Sequence, residues 1–483
     1  MTVRRALAFS YIEKYGSFLL SLVSTAIISR LLKPAEIGVF AIGMSLVGVV
    51  AVIRELGVST YLVQEQDLSE TRIRAAFTLA MAMGVGLCFV LLAVSIPAGL
   101  FYKDPTVTTI VAILALNFAL TPLGSVSQSL LVRELRFSAL TWIRLAQAVI
   151  LAVAGIGLAE LGWGALSLAW AAVLSSAANG VISLWVRPHD MRPSFDGKEL
   201  RRVFSVGGPA TAISIVDELV ASLPELVLGR TQTLAAAGLF SRARGMSQMA
   251  HQLLARAAGP VFLAVFAERQ REGVPLAPLY AKATACVVGL GWPALAMLVV
   301  LADPVVRMLF GPNWLAVVPL MRWLSVAAAV ALLTSGAYHL LLASGGVRDV
   351  LHAKTAALPA QALPLVVGAM FGVDAMAMTM VLAAAAATLL LGQAVRKRLG
   401  IRLRDQLWPA MTSLSVTLAS AAGAAIGLLV PAPYSALGAF ERLLVGGSAG
   451  VVFAAGALMA GAHPLRAEIA QLLGRLRGRE KRA

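Results

Sequence analysis

Ionisable side chains stand inside stretches that are otherwise apolar enough to cross a membrane. Lys14 follows Glu13, Arg54 precedes Glu55, Asp217, Glu218 and Glu225 share one segment, and Arg242, Arg244 and Arg256 share the next. Each is expensive in hydrocarbon, so such residues face a wet interior, a partner or a ligand. Guanidinium keeps its charge when partly buried and grips phosphate oxygens with two parallel N–H donors. Arg54, Arg242, Arg244 and Arg256, with Lys14, are therefore candidate ligands for a phosphorylated head group. Asp217, Glu218 and Glu225 are candidate H+ or Na+ coupling groups, and for Asp217 a helix–helix hydrogen bond or a salt bridge to an arginine is an equal alternative. Lys14 lies near a helix end, where snorkelling to the surface serves as well as a ligand role. Gly207, Gly208 and Pro209 open the segment that carries the carboxylates and Pro224 interrupts it. Proline removes a backbone donor, so these four are candidate hinge residues, or mark an ordinary packing kink.

The elements that must position these groups are long and apolar. A bilayer core of roughly 30 Å takes about 20 residues per helix. On that measure the chain divides into about fourteen spans: 6–29, 37–58, 75–100, 106–131, 137–158, 163–186, 203–228, 232–265, 277–302, 314–344, 355–373, 375–395, 407–430 and 438–461. The eighth and tenth are too long for one straight crossing and should project or bend. Hydrophobic residues make up 59 % of the chain and charged ones 13 %, far from a water-soluble composition. The expected class is all-α: a polytopic membrane protein of two pseudo-symmetric six-helix bundles enclosing a central cavity, plus two C-terminal helices. Its divisions are 1–195, 196–398, 399–463 for helices 13 and 14, and a basic cytoplasmic tail at 464–483.

The formal charge of +16 invites a nucleic-acid reading, which the placement of the charge opposes. With a cytoplasmic N-terminus, roughly 26 of the 40 Lys and Arg lie in or beside inside loops and about 5 in outside ones. That is the positive-inside pattern, with contact to anionic membrane lipids as its second consequence. It places both termini in the cytoplasm and predicts no nucleic acid. Cys88 and Cys286 both fall within spans and have neither disulfide-framework nor zinc spacing. The five histidines are dispersed, and no phosphate-cradling loop ends in Lys-Ser or Lys-Thr. No catalytic residue, metal or cofactor is expected, and the chain reads as a transporter rather than an enzyme.

Two echoes suggest an internal repeat. Arg30 precedes Gly38-Val39-Phe40 by the same eight residues that separate Arg230 from Gly238-Leu239-Phe240. Leu100-Phe101 is matched by Leu309-Phe310, each read as closing an odd-numbered span of its half. Six spans per half is an even number, so the repeat would be parallel, about an axis along the membrane normal. The connector at 187–202 would be its joint.

The run from Ser29 through Arg30, Lys33-Pro34 and Glu36 to Phe40 resembles the first loop of bacterial polysaccharide-unit flippases of the Wzx type. Glu55-Leu56-Gly57 with Leu62-Val63-Gln64, Leu309-Phe310-Gly311-Pro312-Asn313-Trp314 with Pro319-Leu320, and Ala343-Ser344-Gly345-Gly346 are similar to later turns of that family, in order, over about the first 350 residues. The resemblance implies the superfamily that also holds lipid II flippases and multidrug/cation (MATE) antiporters, working by alternating access of a V-shaped pair of six-helix bundles at the bacterial inner membrane. Its implied cargo is an undecaprenyl-pyrophosphate-linked oligosaccharide, the repeat unit of O-antigen, capsule or exopolysaccharide. Membrane lipids, H+ or Na+, a polysaccharide polymerase and a chain-length regulator are the implied partners, and Arg54, Arg242 and Arg244 the implied pyrophosphate ligands. Leu239-Phe240 departs from the tyrosines common there. The rivals are an antiporter of the same superfamily, which would favour an acidic cavity, and a polytopic ligase or polymerase, which would need a large outside loop.

Overall fold

The computed structural model describes residues 3–54, 58–194, 208–431, 433, 435–461 and 463–471, and the side chains among them other than those at 3–14, 60, 208–211, 250–258 and 260. The described residues are helical throughout their ordered elements. The first compact unit, Met1–Gly238, holds α1 (Val3–Leu31), α2 (Pro34–Arg54), α3 (Val58–Gln64), α4 (Glu70–Tyr102), α5 (Pro105–Arg133), α6 (Phe137–Glu160), α7 (Ala165–Val186) and α8 (Gly208–Thr231). The second, Leu239–Ala483, holds all but the first turn of α9 (Leu234–Arg271), then α10 (Leu276–Val300), α11 (Ala302–Leu309), α12 (Val317–Leu332), α13 (Ser335–Ala343), α14 (Val347–Phe371), α15 (Val373–Leu399), α16 (Leu403–Ile426) and α17 (Ala436–Ala460).

Length and hydropathy single out eleven of the described helices as able to cross a membrane, counting α12 with α13 as one segment, Val317–Ala343. This is a multi-pass membrane protein. The long helices left over are α1, α8 and α9, of 29, 24 and 38 residues. Of these, α8 carries Asp217, Glu218, Glu225 and Arg230, α1 is apolar over Tyr15–Leu31, and fourteen crossings require that all three cross as well. At 1.5 Å per residue α9 is about 57 Å long, so it overshoots a bilayer core, as its sequence length suggested.

Helix ends follow local chemistry. Ser69 caps α4 by accepting from the Arg72 N–H at 3.4 Å, and Asp104 caps α5 by accepting from the Thr106 N–H at 2.7 Å, with Pro105 in the first turn. Between them Lys103 takes the left-handed conformation, φ 56°, that turns the chain back within a few residues.

In the first unit α2 packs on α5, α7 and α8, α4 on α5, α5 on α7, and α6 on both α1 and α7. One apolar cluster joins Tyr61 and Leu62 of α3 to Ile73 and Phe77 of α4 and to Val126 and Leu130 of α5. The small residues matter because lipid supplies no hydrophobic drive between helices and association relies on close packing. In the second unit α10 packs on α12 and α16, α14 on α15, and α16 on α17. Gly423 and Gly427 face Gly446 and Gly450 there. A β-carbon at Gly423 would lie 2.6 Å from the Ala449 carbonyl oxygen, and one at Gly446 2.7 Å from that of Ala424.

One expectation needs adjustment. Leu100-Phe101 does close the third span within α4, but Leu309 ends α11, a separate eight-residue amphipathic helix beyond the ninth span. The apolar run had concealed a turn at Leu301. The connector after α7 is strapped to the first unit at its start. The Ser127 hydroxyl donates to the Arg187 carbonyl at 2.8 Å, Arg187 pairs with Glu134 at 2.6 Å, Arg74 with Asp190, and the Ser194 N–H donates to Thr78 Oγ1 at 2.9 Å.

Candidate functional site

Within the first unit, the groups singled out from sequence gather around α2. Arg54 ends that helix, half-buried, and its guanidinium donates to Thr121 Oγ1 of α5 at 3.3 Å. The same group lies 5.2 Å from the centre of the Phe118 ring, over its π face. Both partners stand on α5, three residues apart, and cation–π contact in a low-dielectric setting orients a cation without neutralising it. Two turns before Arg54, Gly48 lets α8 approach. A β-carbon at Gly48 would overlap Glu218 Oε1, so glycine is what admits the carboxylate to the face of α2. Ser222, one turn on, donates its hydroxyl to Glu218 Oε1 at 3.0 Å. Glu225 is buried further along α8, 1 % exposed, whereas Asp217 is exposed. The adjacent carboxylates thus point apart, as a 100° step per helical residue demands.

The far end of α8 is the most tightly packed. Tyr102 donates its hydroxyl to the Leu226 carbonyl at 3.0 Å, Arg230 sits 5.2 Å from the Phe101 ring centre, and a β-carbon at Gly229 would reach Ile42. Beyond it the first turn of α9 crosses the first turn of α2. A β-carbon at Gly38 would overlap the Leu234 carbonyl oxygen and one at Gly238 the Pro34 carbonyl oxygen. The contact is reciprocal: residues 34 and 38 meet 234 and 238. The echo read in the sequence is therefore a physical crossing of equivalent positions, and each glycine is needed because its counterpart's backbone occupies the side-chain volume.

In the second unit Arg242 and Arg244 follow on α9, both half-buried. Arg242 Nε is buried and finds no hydrogen-bond partner among the described residues. A turn further on, Ser247 shares a hydrogen bond of 3.1 Å with Ser325 of α12 and donates to the Met321 carbonyl at 3.3 Å, joining the two helices by neutral polar groups. The Lys14 and Arg256 side chains and all of Gly207 lie outside the described residues, and at Gly208 and Pro209 only the helical backbone is described. Pro224 sits within α8, which stays helical through it and loses the hydrogen bond to the Val220 carbonyl. Among the described residues, no three His, Cys, Asp or Glu side chains converge as a metal set.

Sequence reasoning found the charges but missed their neutral partners, Phe118, Thr121, Gly48 and Ser222. Only Ser222 carried a legible signal, its i+4 spacing from Glu218. At the membrane surface it missed His189, whose ring nitrogen Nδ1 lies 3.0 Å from Ser127 Oγ and whose ring meets Phe77 edge-on at 5.2 Å. Because Ser127 gives its proton to the Arg187 carbonyl, His189 supplies the one between them, which makes Nδ1–H the donor. Burial, and secondly Arg187, hold its pKa below the usual histidine value.

Comparison with known proteins agrees with this architecture. A family model described as polysaccharide biosynthesis protein matches residues 27–319. The chain is 26 % identical over 306 residues to the teichuronic acid biosynthesis protein TuaB of Bacillus subtilis, covering 61 % of each chain. It is 25 % identical to the succinoglycan biosynthesis transport protein ExoT of Rhizobium meliloti (68 % of this chain, 67 % of that one). It is 22 % identical to the lipopolysaccharide biosynthesis protein WzxC of Escherichia coli (68 % and 67 %). These matches span about two thirds of the relatives' lengths. Among solved structures the fold is similar to the lipid II flippase MurJ in an inward closed conformation, with TM-score 0.70, 14 % identity, and 92 % of this chain and 98 % of that one covered. An inward-facing multidrug resistance MATE transporter follows at TM-score 0.66, 15 % identity, 82 % and 98 %. By the family model's match to residues 27–319, more than half of its length, the chain belongs to the polysaccharide biosynthesis protein family.

Proposed function

We propose that this protein is a flippase of the inner membrane that carries an undecaprenyl-pyrophosphate-linked oligosaccharide from the cytoplasmic to the outer face by alternating access. The observation that carries the reading is Arg242. A guanidinium on a membrane helix with a buried N–H unmatched among the described residues suits an anionic ligand, and a doubly charged diphosphate is one that guanidinium binds well. Arg54 and Arg244 are the other proposed ligands, with Lys14 and Arg256 in support. The relatives named for teichuronic acid, succinoglycan transport and lipopolysaccharide favour a polymer precursor as cargo, and the likeness to a lipid II flippase supports a lipid-linked one.

In this reading the diphosphate enters among the arginines while the polyprenyl tail stays in lipid. Glu218, held by Ser222 against Gly48, and buried Glu225 are the proposed proton or sodium groups, with Asp217 beside them. Protonation of a buried carboxylate would remove the cost of its charge and permit α8 to shift against α2. Gly207, Gly208, Pro209 and Pro224 are the proposed points at which α8 bends. The density of Lys and Arg on alternate loops supports cytoplasmic termini. A sequence-repeat joint at 187–202 is compatible with packing units that divide at Gly238, since register defines a repeat and contact defines a unit.

Loss of the gene tests the reading: complete lipid-linked repeat units should accumulate inside while surface polymer disappears. The buried Glu225 and the MATE-like fold support one second reading, an antiporter exporting organic cations. It predicts unchanged polymer and heightened drug sensitivity in the same strain.

A further inference from the structure

The apolar segment Val317–Ala343 is broken. α12 stops at Leu332 and α13 restarts at Ser335. Lipid cannot satisfy the backbone groups that such a break releases, so protein or a ligand must. On the acceptor side the protein does so: Trp292 Nε1 donates to the Ala329 carbonyl at 2.8 Å and Thr388 Oγ1 to the Val330 carbonyl at 3.3 Å. On the donor side the Leu333, Thr334 and Ala337 N–H groups reach the Val330, Ala331 and Thr334 carbonyls at 3.2, 3.3 and 3.0 Å, whereas Thr334, the N-cap of α13, makes no side-chain capping bond to the first N–H groups of that helix.

Two fully buried side chains of α10 press on this uncapped turn. Tyr280 and Thr284, one helical turn apart, are each 0 % exposed. A β-carbon at Gly336 would stand 3.2 Å from Thr284 Oγ1 and 3.4 Å from Tyr280 Cε2, so both face the second residue of α13. The Tyr280 hydroxyl lies beside Thr284 without completing a hydrogen bond, and Tyr280 OH, Thr284 Oγ1 and Ser335 Oγ are all buried without hydrogen-bond partners among the described residues. One unmatched buried hydroxyl costs about 1–3 kcal/mol. Three of them at one uncapped helix start call for a single complement, an acceptor that several O–H and N–H donors can share.

We propose that the first turn of α13, with Tyr280, Thr284 and Ser335, binds a small monovalent anion of the halide class, chloride. The positive end of the helix favours an anion and disfavours a cation, and no carboxylate belongs to the first turn of α13 or to Tyr280 and Thr284. Each hydroxyl can turn its proton toward a halide, and at the positive end of a helix a charged acceptor gains charge-assisted bonds that a neutral water does not. The close approach of Thr284 and Tyr280 to Gly336 limits the ligand to one small ion.

The test uses the full chain purified in detergent, its unfolding midpoint measured at equal ionic strength in sodium chloride, sodium bromide, choline chloride and sodium gluconate. The site predicts a midpoint several degrees higher in the three halide salts than in gluconate, whatever the cation. Tyr280→Phe and Thr284→Val should lose that difference while Glu272→Gln keeps it. Crystals grown in sodium bromide should give an anomalous peak within hydrogen-bond distance of Tyr280 OH, a readout that survives if either variant fails to fold. The proposal is overturned by a midpoint that follows sodium instead of halide, by halide dependence that both variants retain, or by the lack of a bromide peak at α13.

Discussion

Arg242 and Arg54 differ in what surrounds them, and the difference sets separate predictions. Arg54 is steadied by Thr121 and the Phe118 ring, so its geometry is prepared before any ligand arrives. Arg242→Ala should remove a charge-assisted contact of about 1.5–3 kcal/mol, a loss of roughly 10- to 150-fold in cargo affinity or export. Arg242→Lys should restore only part of it, since ammonium lacks the planar two-donor fork. Measuring surface polymer against protein level in the membrane separates this from misfolding. His189 makes a prediction outside the spans. Its pKa is lowered in the docked connector, so docking favours the neutral ring. The stability it lends is complete above the ordinary histidine value of about 6.5 and is lost as pH falls from there. Hydrogen-exchange protection in residues 187–194, taken relative to the intrinsic rate at each pH, should fall below that pH, and His189→Gln should flatten the response. The charges were legible in the sequence because lysine, arginine and carboxylates stand out in an apolar span. Thr121, Ser127 and Phe118 were not, because a neutral residue becomes part of a site only through a contact 60 or more residues away.

Among the elements, the crossing of α2 with the start of α9 is the sharpest consequence of a sequence pattern. Gly38 and Gly238 each occupy a place that a neighbouring carbonyl denies to any side chain. Gly38→Ala and Gly238→Ala should each destabilise the protein by about 1–3 kcal/mol, the usual cost of overpacking. Gly86→Ala is the matched control: nothing lies within 4 Å of its β-carbon position, so it should leave the midpoint unchanged or raise it by up to about 1 kcal/mol. Equal effects at all three positions would contradict the crossing. The Arg30 and Arg230 echo foretold an equivalence but not a contact, because period and spacing carry no information about which equivalent positions touch. Helix lengths exposed the long α9 and the bent segment 314–344, yet not where it breaks. Leu333 and Thr334 have no breaker chemistry of their own, and the break is held by Trp292 and Thr388 from other helices. The short helices α3 and α11 were hidden for a similar reason, since seven or eight residues cannot display a helical period apart from the spans they adjoin.

For the whole molecule, composition was decisive about class and silent about cargo. Fifty-nine per cent hydrophobic residues, gathered in helices long enough to cross a bilayer, require a multi-pass membrane protein, and the family model matched over residues 27–319 gives its family. Seven of the eight candidate binding and coupling residues, all but Arg54, belong to α1, α8 and α9. The central claim, transport of an anionic lipid-linked saccharide, is tested most directly in proteoliposomes. Purified protein would be reconstituted with a fluorescent polyprenyl-diphosphate oligosaccharide in the inner leaflet, and its appearance outside followed by quenching. The account predicts movement across the bilayer that Arg242→Ala slows by at least about tenfold and that a neutral polyprenyl saccharide does not compete with. Equal rates for the unaltered protein and Arg242→Ala, or movement no faster than in empty vesicles, would contradict it.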